Sequence, residues 1–179
     1  MAIVEVRRHA ERAGPTEAGS ALSPAGRAMA ERLARSAPAY AVVAASPLPR
    51  AKETATIVGG RLDLADPALL PDLSQIVQVR TIEEYLPLLA TGERERALAD
   101  EQAGAWARIG SAADGRSGSG TAKHATALVI THGGVIELAA LRIAKELGKD
   151  LRGDAFSYCE GVRVRYERGK PTSLEVLRV

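Results

Sequence analysis

Two histidines and two arginines stand in the sequence where polar groups could act together on a phosphate. Arg8 and His9 directly follow the first apolar run of the chain, Arg50 follows the second, and His132 follows the third. If these runs are parallel strands, their carboxyl ends meet at one edge of a sheet, so the four side chains should lie close together. Guanidinium groups bind phosphate oxygens in a planar, bidentate manner, and a neutral imidazole can attack phosphorus and carry the phosphoryl group. The pattern therefore suggests a phosphoryl-transfer site.

Taken singly, these residues say little, because a histidine at a strand end is more often structural and an arginine at a helix start is usually a solvated charge. Their conjunction carries the prediction. The N–H groups of Gly133 and Gly134, at the start of the helix that follows His132, could add to an anion pocket. Because arginines can stabilise the charge on the transferring group, we expect no metal and no other cofactor. One cysteine and three histidines also argue against a Cys/His zinc site.

The elements that must position these groups alternate between strand-like and helix-like segments. Ser23 followed by Pro24 is a favourable helix start, because serine caps the first turn and proline needs no N–H there. The alternation predicts an α/β fold. The predicted strands are residues 3–6, 40–45 and 125–131, and residues 161–166 and 174–179 are predicted to form a terminal hairpin. One predicted helix begins at residue 24, and two others span residues 51–61 and 135–147.

The stretch between the second and third predicted strands is less regular. It is interrupted by proline and aspartate and holds a possible short strand at 76–79. Thr81 and Glu84 have the spacing of a capping box, which predicts a helix start, and two helices separated near Gly92 should follow. Glycine and serine dominate residues 114–120, a composition typical of an exposed, flexible connector.

Three segments, taken in order, resemble the motifs of a known family. Residues 6–11 (VRRHAE) are similar to an Arg-His-Gly-Glu signature, with alanine for glycine. Residues 46–55 (SPLPRAKETA) match the motif Ser-Pro-Leu-x-Arg-Ala-x-x-Thr-Ala in full, and residues 129–136 (VITHGGVI) resemble a strand–His-Gly-Gly–helix motif. Residues 22–26 also resemble the family's Leu-Thr-x-x-Gly helix start. With these motifs the sequence resembles the histidine phosphatase superfamily, which includes cofactor-dependent phosphoglycerate mutases and many phosphatases.

The resemblance implies a phosphoglycerate mutase-like fold, a three-layer α/β/α sandwich with a central, mainly parallel sheet. We expect a single domain over residues 1–179, with an insertion at about 64–123 that covers the site as a lid and shapes specificity. Because such a lid narrows access, a small phosphorylated metabolite is the expected substrate. No oligomeric state is predicted.

The resemblance also implies a role for each pocket residue. His9 would be the nucleophile that becomes phosphohistidine, and Arg8 and Arg50 would clamp the phosphoryl oxygens. His132 would be the second histidine of the pocket, hydrogen-bonded to the transferring group, with Gly133 beside it in the phosphate site. These roles agree with those suggested by charge and placement.

The general acid departs from the family pattern. The family often has a glutamate in a Leu-x-Glu segment between the second and third motifs, where this sequence has Leu73-Ser74-Gln75. Glu83 and Glu84 are the nearest alternatives, although negative charge at a helix start is equally expected from the helix dipole. Asp72 is a further candidate.

The predicted function is metal-independent hydrolysis of a phosphomonoester through a phosphohistidine intermediate on His9. Three alternatives stay open: a phosphoglycerate-type mutase, a protein phosphohistidine phosphatase and a phospho-ligand binding protein without turnover. Mutase-like members carry an asparagine after the signature glutamate, and this chain has no asparagine. The expected lid argues against a protein substrate, and the complete set of pocket residues argues against a protein that only binds.

Charge and composition exclude several other classes of protein. Lys and Arg number 24 against 22 Asp and Glu, a net charge of +2, and aromatic residues are 3% of the chain, so we expect no nucleic-acid partner. No apolar run approaches the ~20 residues that span a bilayer, so we expect no membrane partner. The first residues do not resemble a signal peptide, and a single cysteine forms no internal disulfide, so a cytoplasmic location is expected.

Four remaining residues are predicted to have no part in the chemistry. Trp106 and Cys159 should pack in the core, the cysteine as a small hydrophobic residue. His124 should be exposed beside the glycine- and serine-rich connector. Arg12 lies near the pocket in sequence and is predicted to be a solvated surface charge.

Overall fold

The fold is a six-stranded sheet with helices on both faces, seen in a computed structural model that describes residues 1–14, 20–116 and 125–179, with Gln75 described by its backbone alone. The strands are β1 (Ala2–Arg8), β2 (Val42–Ala45), β3 (Leu64–Ala65), β4 (Ala125–Thr131), β5 (Gly161–Glu167) and β6 (Lys170–Leu177). The helices are α1 (Pro24–Ala34), α2 (Pro49–Gly59), α3 (Leu86–Thr91), α4 (Glu93–Arg116) and α5 (Val135–Glu146). Three 3-10 turns precede α3, at Pro67–Leu69, Leu73–Gln75 and Ile82–Tyr85.

The sheet is mainly parallel, as predicted, and its strand order is β3-β2-β4-β1-β5-β6. Strands β1, β2, β3 and β4 pair in parallel with one another. Strands β5 and β6 form the predicted terminal hairpin, and β5 pairs antiparallel with β1. The carboxyl ends of β1, β2 and β4 therefore lie at one edge of the sheet, where ligands bind in open α/β folds.

The two faces of the sheet bury separate apolar clusters. Successive residues of β4 alternate between them: Val129 packs on the side of α4 and α5, and Leu128 and Ile130 pack on the side of α1 and α2. Both faces are covered, which explains why this strand is a continuous apolar run rather than an alternating one. The three layers of the predicted sandwich are thus present.

The helix starts follow the local sequence signals. Ser23 caps α1, where its hydroxyl accepts the N–H of Gly26 at 2.9 Å and Pro24 occupies the first turn. Pro49 opens α2 in the same way and directly precedes Arg50. This proline sets the position of Arg50 in the first turn of the helix, next to the end of β2.

The stretch between β2 and β4 differs from its predicted structure in three places. The short strand at this edge is Leu64–Ala65, and residues 76–79, predicted as a possible strand, have no strand partner. Thr81 precedes a 3-10 turn rather than an α-helix, because its hydroxyl bonds the Glu84 side chain instead of a backbone N–H. The predicted break at Gly92 is confirmed, between α3 and α4.

Helix α4 is longer than the composition of its last residues indicates. It continues to Arg116, into the predicted connector, because Trp106, Ile109 and Ala113 keep a buried stripe on one face of the helix. Residues 117–120 of that connector, and His124 with its predicted exposure, lie outside the described residues. No helix in the described part of the chain is long and apolar enough to cross a membrane.

Candidate active site

The described structure brings the predicted phosphate-binding residues together in one cavity of about 550 Å³. Arg8 is the last residue of β1, His9 follows it, His132 follows β4, and Arg50 lies in the first turn of α2. All four side chains line the cavity, together with Gly133. The cavity lies at the carboxyl ends of the parallel strands. Arg8, His9 and His132 stand at the ends of β1 and β4, and Arg50 stands in the helix that follows β2.

The imidazole of His9 has a defined tautomer. Its Nδ1 lies 2.7 Å from the carbonyl oxygen of Ala10, and Nε of Arg50 donates to its Nε2 at 3.1 Å. A carbonyl oxygen only accepts, so the proton is on Nδ1 and the lone pair is on Nε2. Burial, helped by the charges of Arg50 and Arg8, lowers the pKa of His9 to about 3, against the opposing effect of the Ala10 carbonyl. The imidazole is therefore neutral at neutral pH, as a nucleophile must be.

His132 packs against His9 and is held by a serine. The two ring centroids are 5.2 Å apart with an interplanar angle of 62°, and Nε2 of His132 lies 2.7 Å from Oγ of Ser46. Burial, together with the smaller effects of His9 and Arg50, lowers the pKa of His132 to about 2. Ser46 is fully buried at the end of β2, where its N–H donates to the carbonyl of Ile130. Its role was missed from the sequence, where it counted only as part of a motif.

Arg8 is held by two groups outside the sequence motifs and by one glycine inside them. Its Nη1 donates to the carbonyl oxygen of Phe156 at 2.8 Å, and its guanidinium lies 4.9 Å from the ring centroid of Tyr158. On the other side it packs on Gly133, where an added Cβ would come within 3.0 Å of the guanidinium carbon. Tyr158 also contacts His9, with ring centroids 5.9 Å apart. No signal in the sequence around residue 158 indicates this role.

Thr54 joins helix α2 to the nucleophile segment. Its hydroxyl donates to the carbonyl of Arg50 at 2.7 Å and accepts the N–H of Ala10 at 3.0 Å. This pair of bonds ties the backbone beside His9 to the first turn of α2. Arg12 lines the cavity as well, so three guanidinium groups face it, rather than the two predicted.

The structure does not bring Glu83 and Glu84 to the cavity. The 3-10 turn that contains them buries Ile82 and Tyr85, so the two glutamates face away from the core. Glu83 accepts the N–H of Gly153 at 3.0 Å, and Glu84 accepts the hydroxyl of Thr81. Neither glutamate lines the cavity.

The carboxylate that does line the cavity, among the described residues, is Asp72. It is exposed and caps the 3-10 turn Leu73–Gln75, accepting the N–H and hydroxyl of Ser74 at 3.1 and 2.6 Å through Oδ1. The turn thus presents a carboxyl group at the cavity mouth, close in sequence to the Leu-x-Glu position of the motif.

The described residues contain no metal-binding cluster, and the described lining of a second, larger cavity contains no hydroxyl, thiol or imidazole side chain. No three His, Cys, Asp or Glu side chains in the described ranges are grouped so that they could hold a metal ion. A larger cavity of about 860 Å³ lies beside α3, α4 and α5, but its described lining contains no histidine, cysteine or serine. Trp106 and Cys159 are buried in the core as predicted, and burial raises the pKa of the cysteine thiol to about 11.

The sequence motifs and this geometry agree with a family-level match. Residues 6–177 match the family model of the histidine phosphatase superfamily (branch 1). The chain belongs to the histidine phosphatase superfamily. The predicted family, the α/β fold class and the enzyme class of a histidine phosphatase are thereby confirmed.

Solved structures share the fold of this histidine phosphatase over nearly the whole chain. A phosphoserine phosphatase from Entamoeba histolytica, solved with 3-phosphoglyceric acid, has a TM-score of 0.67 and 16% identity, covering 100% of this chain and 98% of its own. A mycobacterial glucosyl-3-phosphoglycerate phosphatase has a TM-score of 0.62 and 16% identity, covering 98% and 96%. A putative alpha-ribazole-5'-P phosphatase from Escherichia coli has a TM-score of 0.59 and 17% identity, covering 99% and 96%. A search of curated proteins finds no match.

Proposed function

We propose that this histidine phosphatase hydrolyses phosphomonoesters of small metabolites through a phosphohistidine formed at Nε2 of His9. The observation that carries the proposal is the fixed tautomer of His9, whose Nδ1–H is held by the Ala10 carbonyl and whose Nε2 lone pair faces Arg50. A neutral imidazole with a directed lone pair is the nucleophile that this chemistry requires.

In the proposed first step, Nε2 of His9 attacks phosphorus and the bond from phosphorus to the ester oxygen breaks. Arg50 moves from Nε2 to a phosphoryl oxygen when the substrate binds, which frees the lone pair for this attack, and Arg8 donates to another phosphoryl oxygen. Their charges stabilise the negative charge that spreads over the equatorial oxygens in the transition state. His132, packed against His9, completes the wall of the pocket.

In the second step, water attacks the phosphohistidine, the nitrogen–phosphorus bond breaks, and inorganic phosphate leaves with His9 neutral again. We assign Asp72 as the acid that protonates the leaving oxygen in the first step and as the base that accepts a proton from water in the second. The assignment rests on position, because Asp72 lines the cavity and Glu83 and Glu84 do not.

A small phosphorylated metabolite fits the size and charge of the cavity. Its volume of about 550 Å³ lies within the usual ~300–1,000 Å³ of small-molecule sites. Leu48, Leu70 and Leu73 supply apolar lining beyond the arginines, against which a carbon skeleton could pack. The related solved structures include phosphatases named for phosphoserine and for glucosyl-3-phosphoglycerate, which are small phosphorylated compounds.

The test is hydrolysis of p-nitrophenyl phosphate in the presence of EDTA by the wild type and by His9→Ala. We expect activity that persists in EDTA and is lost in His9→Ala, and an acid-labile phosphoprotein on rapid quenching of the wild type alone. Full activity in His9→Ala would overturn the proposal, and loss of activity in EDTA alone would point to a metal. Transfer of phosphate from 2,3-bisphosphoglycerate to a second metabolite, without net hydrolysis, would favour the mutase alternative.

A further inference from the structure

We infer that Glu137 is a positioning residue for the phosphate pocket. It holds Arg8 and the turn after His132 in place without lining the cavity itself. The inference rests on the proposed function, because it concerns the same pocket. No motif of the sequence draws attention to Glu137, which lies in α5, a strongly apolar helix.

The carboxyl group of Glu137 binds two backbone segments at once. It is 1% exposed, and its Oε2 accepts the N–H of Gly134 at 2.6 Å while its Oε1 accepts the N–H of Phe156 at 2.8 Å. Gly134 belongs to the turn that follows His132, and its φ of +82° lies in the left-handed region that glycine adopts without strain. Both carboxyl oxygens are therefore used, one on each side of the pocket.

The Phe156 bond leads directly to Arg8. The carbonyl oxygen of Phe156 accepts Nη1 of Arg8 at 2.8 Å, so a single residue receives Arg8 through its carbonyl and is held by Glu137 through its N–H. Oε2 of Glu137 holds Gly134, and the neighbouring Gly133 packs on the guanidinium of Arg8. Glu137 thus fixes both the acceptor of Arg8 and the backbone against which Arg8 packs.

A general structural role explains this arrangement less well. The Gly134 bond alone would be an ordinary capping box, in which the third residue of a helix accepts the N–H of the N-cap residue, but this role does not account for the bond to Phe156. Burial disfavours a carboxylate unless specific partners offset the lost hydration, and it raises the pKa of Glu137 against the opposing N–H groups of Phe156 and Gly134. The partners that offset it here are the segments that form the phosphate pocket.

The test compares Glu137→Gln with Glu146→Gln, an exposed glutamate on the same helix that pairs with Arg142. Glutamine keeps the shape but has one acceptor, and its NH2 group would face one of the two N–H donors. We expect Glu137→Gln to lower kcat/KM for p-nitrophenyl phosphate by about 10- to 100-fold and to weaken inhibition by inorganic phosphate, while remaining folded at the assay temperature. Glu146→Gln should match the wild type.

An Arg8→Ala background decides whether Glu137 acts through Arg8. If it does, adding Glu137→Gln to Arg8→Ala lowers activity by less than about threefold. If Glu137 acts independently of Arg8, the substitution lowers activity in this background as much as it does in the wild type, which overturns the inference. Tighter inhibition by phosphate in Glu137→Gln would also overturn the inference. It would show that the substitution acts only by removing a negative charge near the bound phosphate. If Glu137→Gln does not fold, Glu137→Asp takes its place in the same comparison. Aspartate keeps the charge but is shorter by one methylene group, so its oxygens are withdrawn from the two N–H donors.

Failure of the proposed function is recognised separately. It would appear in the wild type, as absence of phosphatase activity or as full activity in His9→Ala. In that case the affinity for inorganic phosphate, measured by calorimetry in the wild type, Glu137→Gln and Glu146→Gln, still tests the positioning of Arg8. Equal phosphate affinities in the three proteins would overturn the inference.

Discussion

Arg50 donates its Nε hydrogen to Nε2 of His9 at 3.1 Å, so the proposed phosphate clamp is hydrogen-bonded to the lone pair of the proposed nucleophile. In the proposed mechanism, this bond gives Arg50 two successive roles. It first holds the His9 ring in the orientation set by the Ala10 carbonyl, and then moves to the oxygens of a bound phosphoryl group, which leaves the lone pair free to attack. A side chain with several donors in a planar fork suits this exchange.

Arg50→Lys should lower kcat by about 100-fold, because an ammonium group keeps the charge but loses the planar fork that can contact an imidazole and a phosphate in turn. The melting temperature should change little, since the backbone of Arg50 is held by Thr54. Steady-state kinetics with p-nitrophenyl phosphate provide the measurement, with Arg142→Lys, at an exposed ion pair, as the control. A kcat within twofold of the wild type would show that charge alone is enough.

The parts of the structure that the sequence predicted correctly are those encoded by local signals. A continuously apolar run, such as residues 125–131, indicates a strand covered on both faces, and β4 is such a strand. The Ser23-Pro24 pair indicates a helix start, and α1 begins there. Polar residues directly after such strands indicate a site at one sheet edge, which is why Arg8, His9 and His132 could be placed together before the fold was known.

The features missed from the sequence depend on contacts between distant segments. Tyr158 and Phe156 reach Arg8 from a segment almost 150 residues further along the chain, and no local pattern marks them. Glu83 and Glu84 have the composition of a helix start, but the orientation of their turn depends on the burial of its apolar neighbours. Side-chain direction within a short turn is a tertiary property, which periodicity does not reveal.

Ser46→Ala should lower kcat by about tenfold, because it removes the hydroxyl that lies 2.7 Å from Nε2 of His132 in a buried setting. The loss is expected in kcat rather than in KM, since the ring of His132 keeps its place against His9 but loses its fixed orientation. Ser111→Ala is the control, because that hydroxyl is exposed and bonds only the carbonyl of Ala107. Equal effects of the two substitutions would contradict a role for Ser46.

Stability should fall as the pH is lowered from about 6.5, in a window to which the buried His132 and His9 both contribute. The pKa of His9 is about 3 in the folded protein and near 6.5 when exposed, so between these values the unfolded chain binds a proton that the folded protein excludes. The free energy of unfolding should therefore decrease with falling pH, by at most about 1.4 kcal/mol per pH unit for this residue. Urea unfolding at pH 7, 6 and 5 should show a shallower dependence for His9→Gln, and equal slopes would show that His9 is not buried in its neutral form.

Asp72→Asn should separate substrates by their leaving groups. Alkyl phosphates need a proton on the departing oxygen and should lose about 100-fold in kcat/KM, whereas p-nitrophenyl phosphate, with its stable leaving group, should lose much less. Asp66→Asn is a matched control, since Asp66 caps the preceding 3-10 turn by accepting the N–H of Ala68 but does not line the cavity. If Glu83→Gln or Glu84→Gln shows the selective loss and Asp72→Asn does not, the acid lies on the turn that the sequence suggested.

Arg12 should select for substrates that carry a second negative group. A phosphate monoester brings two negative charges at most, which Arg8 and Arg50 can match, and Arg12 adds a third guanidinium to the same cavity. Its charge also acts on the pocket, since it lowers the pKa of both His9 and Arg50. A carboxylate or second phosphate on the substrate would place negative charge near this third guanidinium.

The matched pair of ligands for this prediction is phosphoserine and phosphoethanolamine, which differ by one carboxylate. Inhibition of p-nitrophenyl phosphate hydrolysis by phosphoserine should weaken by about tenfold in Arg12→Gln, because a charge-assisted hydrogen bond is lost, while inhibition by phosphoethanolamine should change by less than about threefold. Arg142→Gln controls for the loss of a positive charge elsewhere on the surface. Parallel weakening for both ligands would mean that Arg12 acts only through the overall positive potential of the cavity, and that the carboxylate has no site of its own.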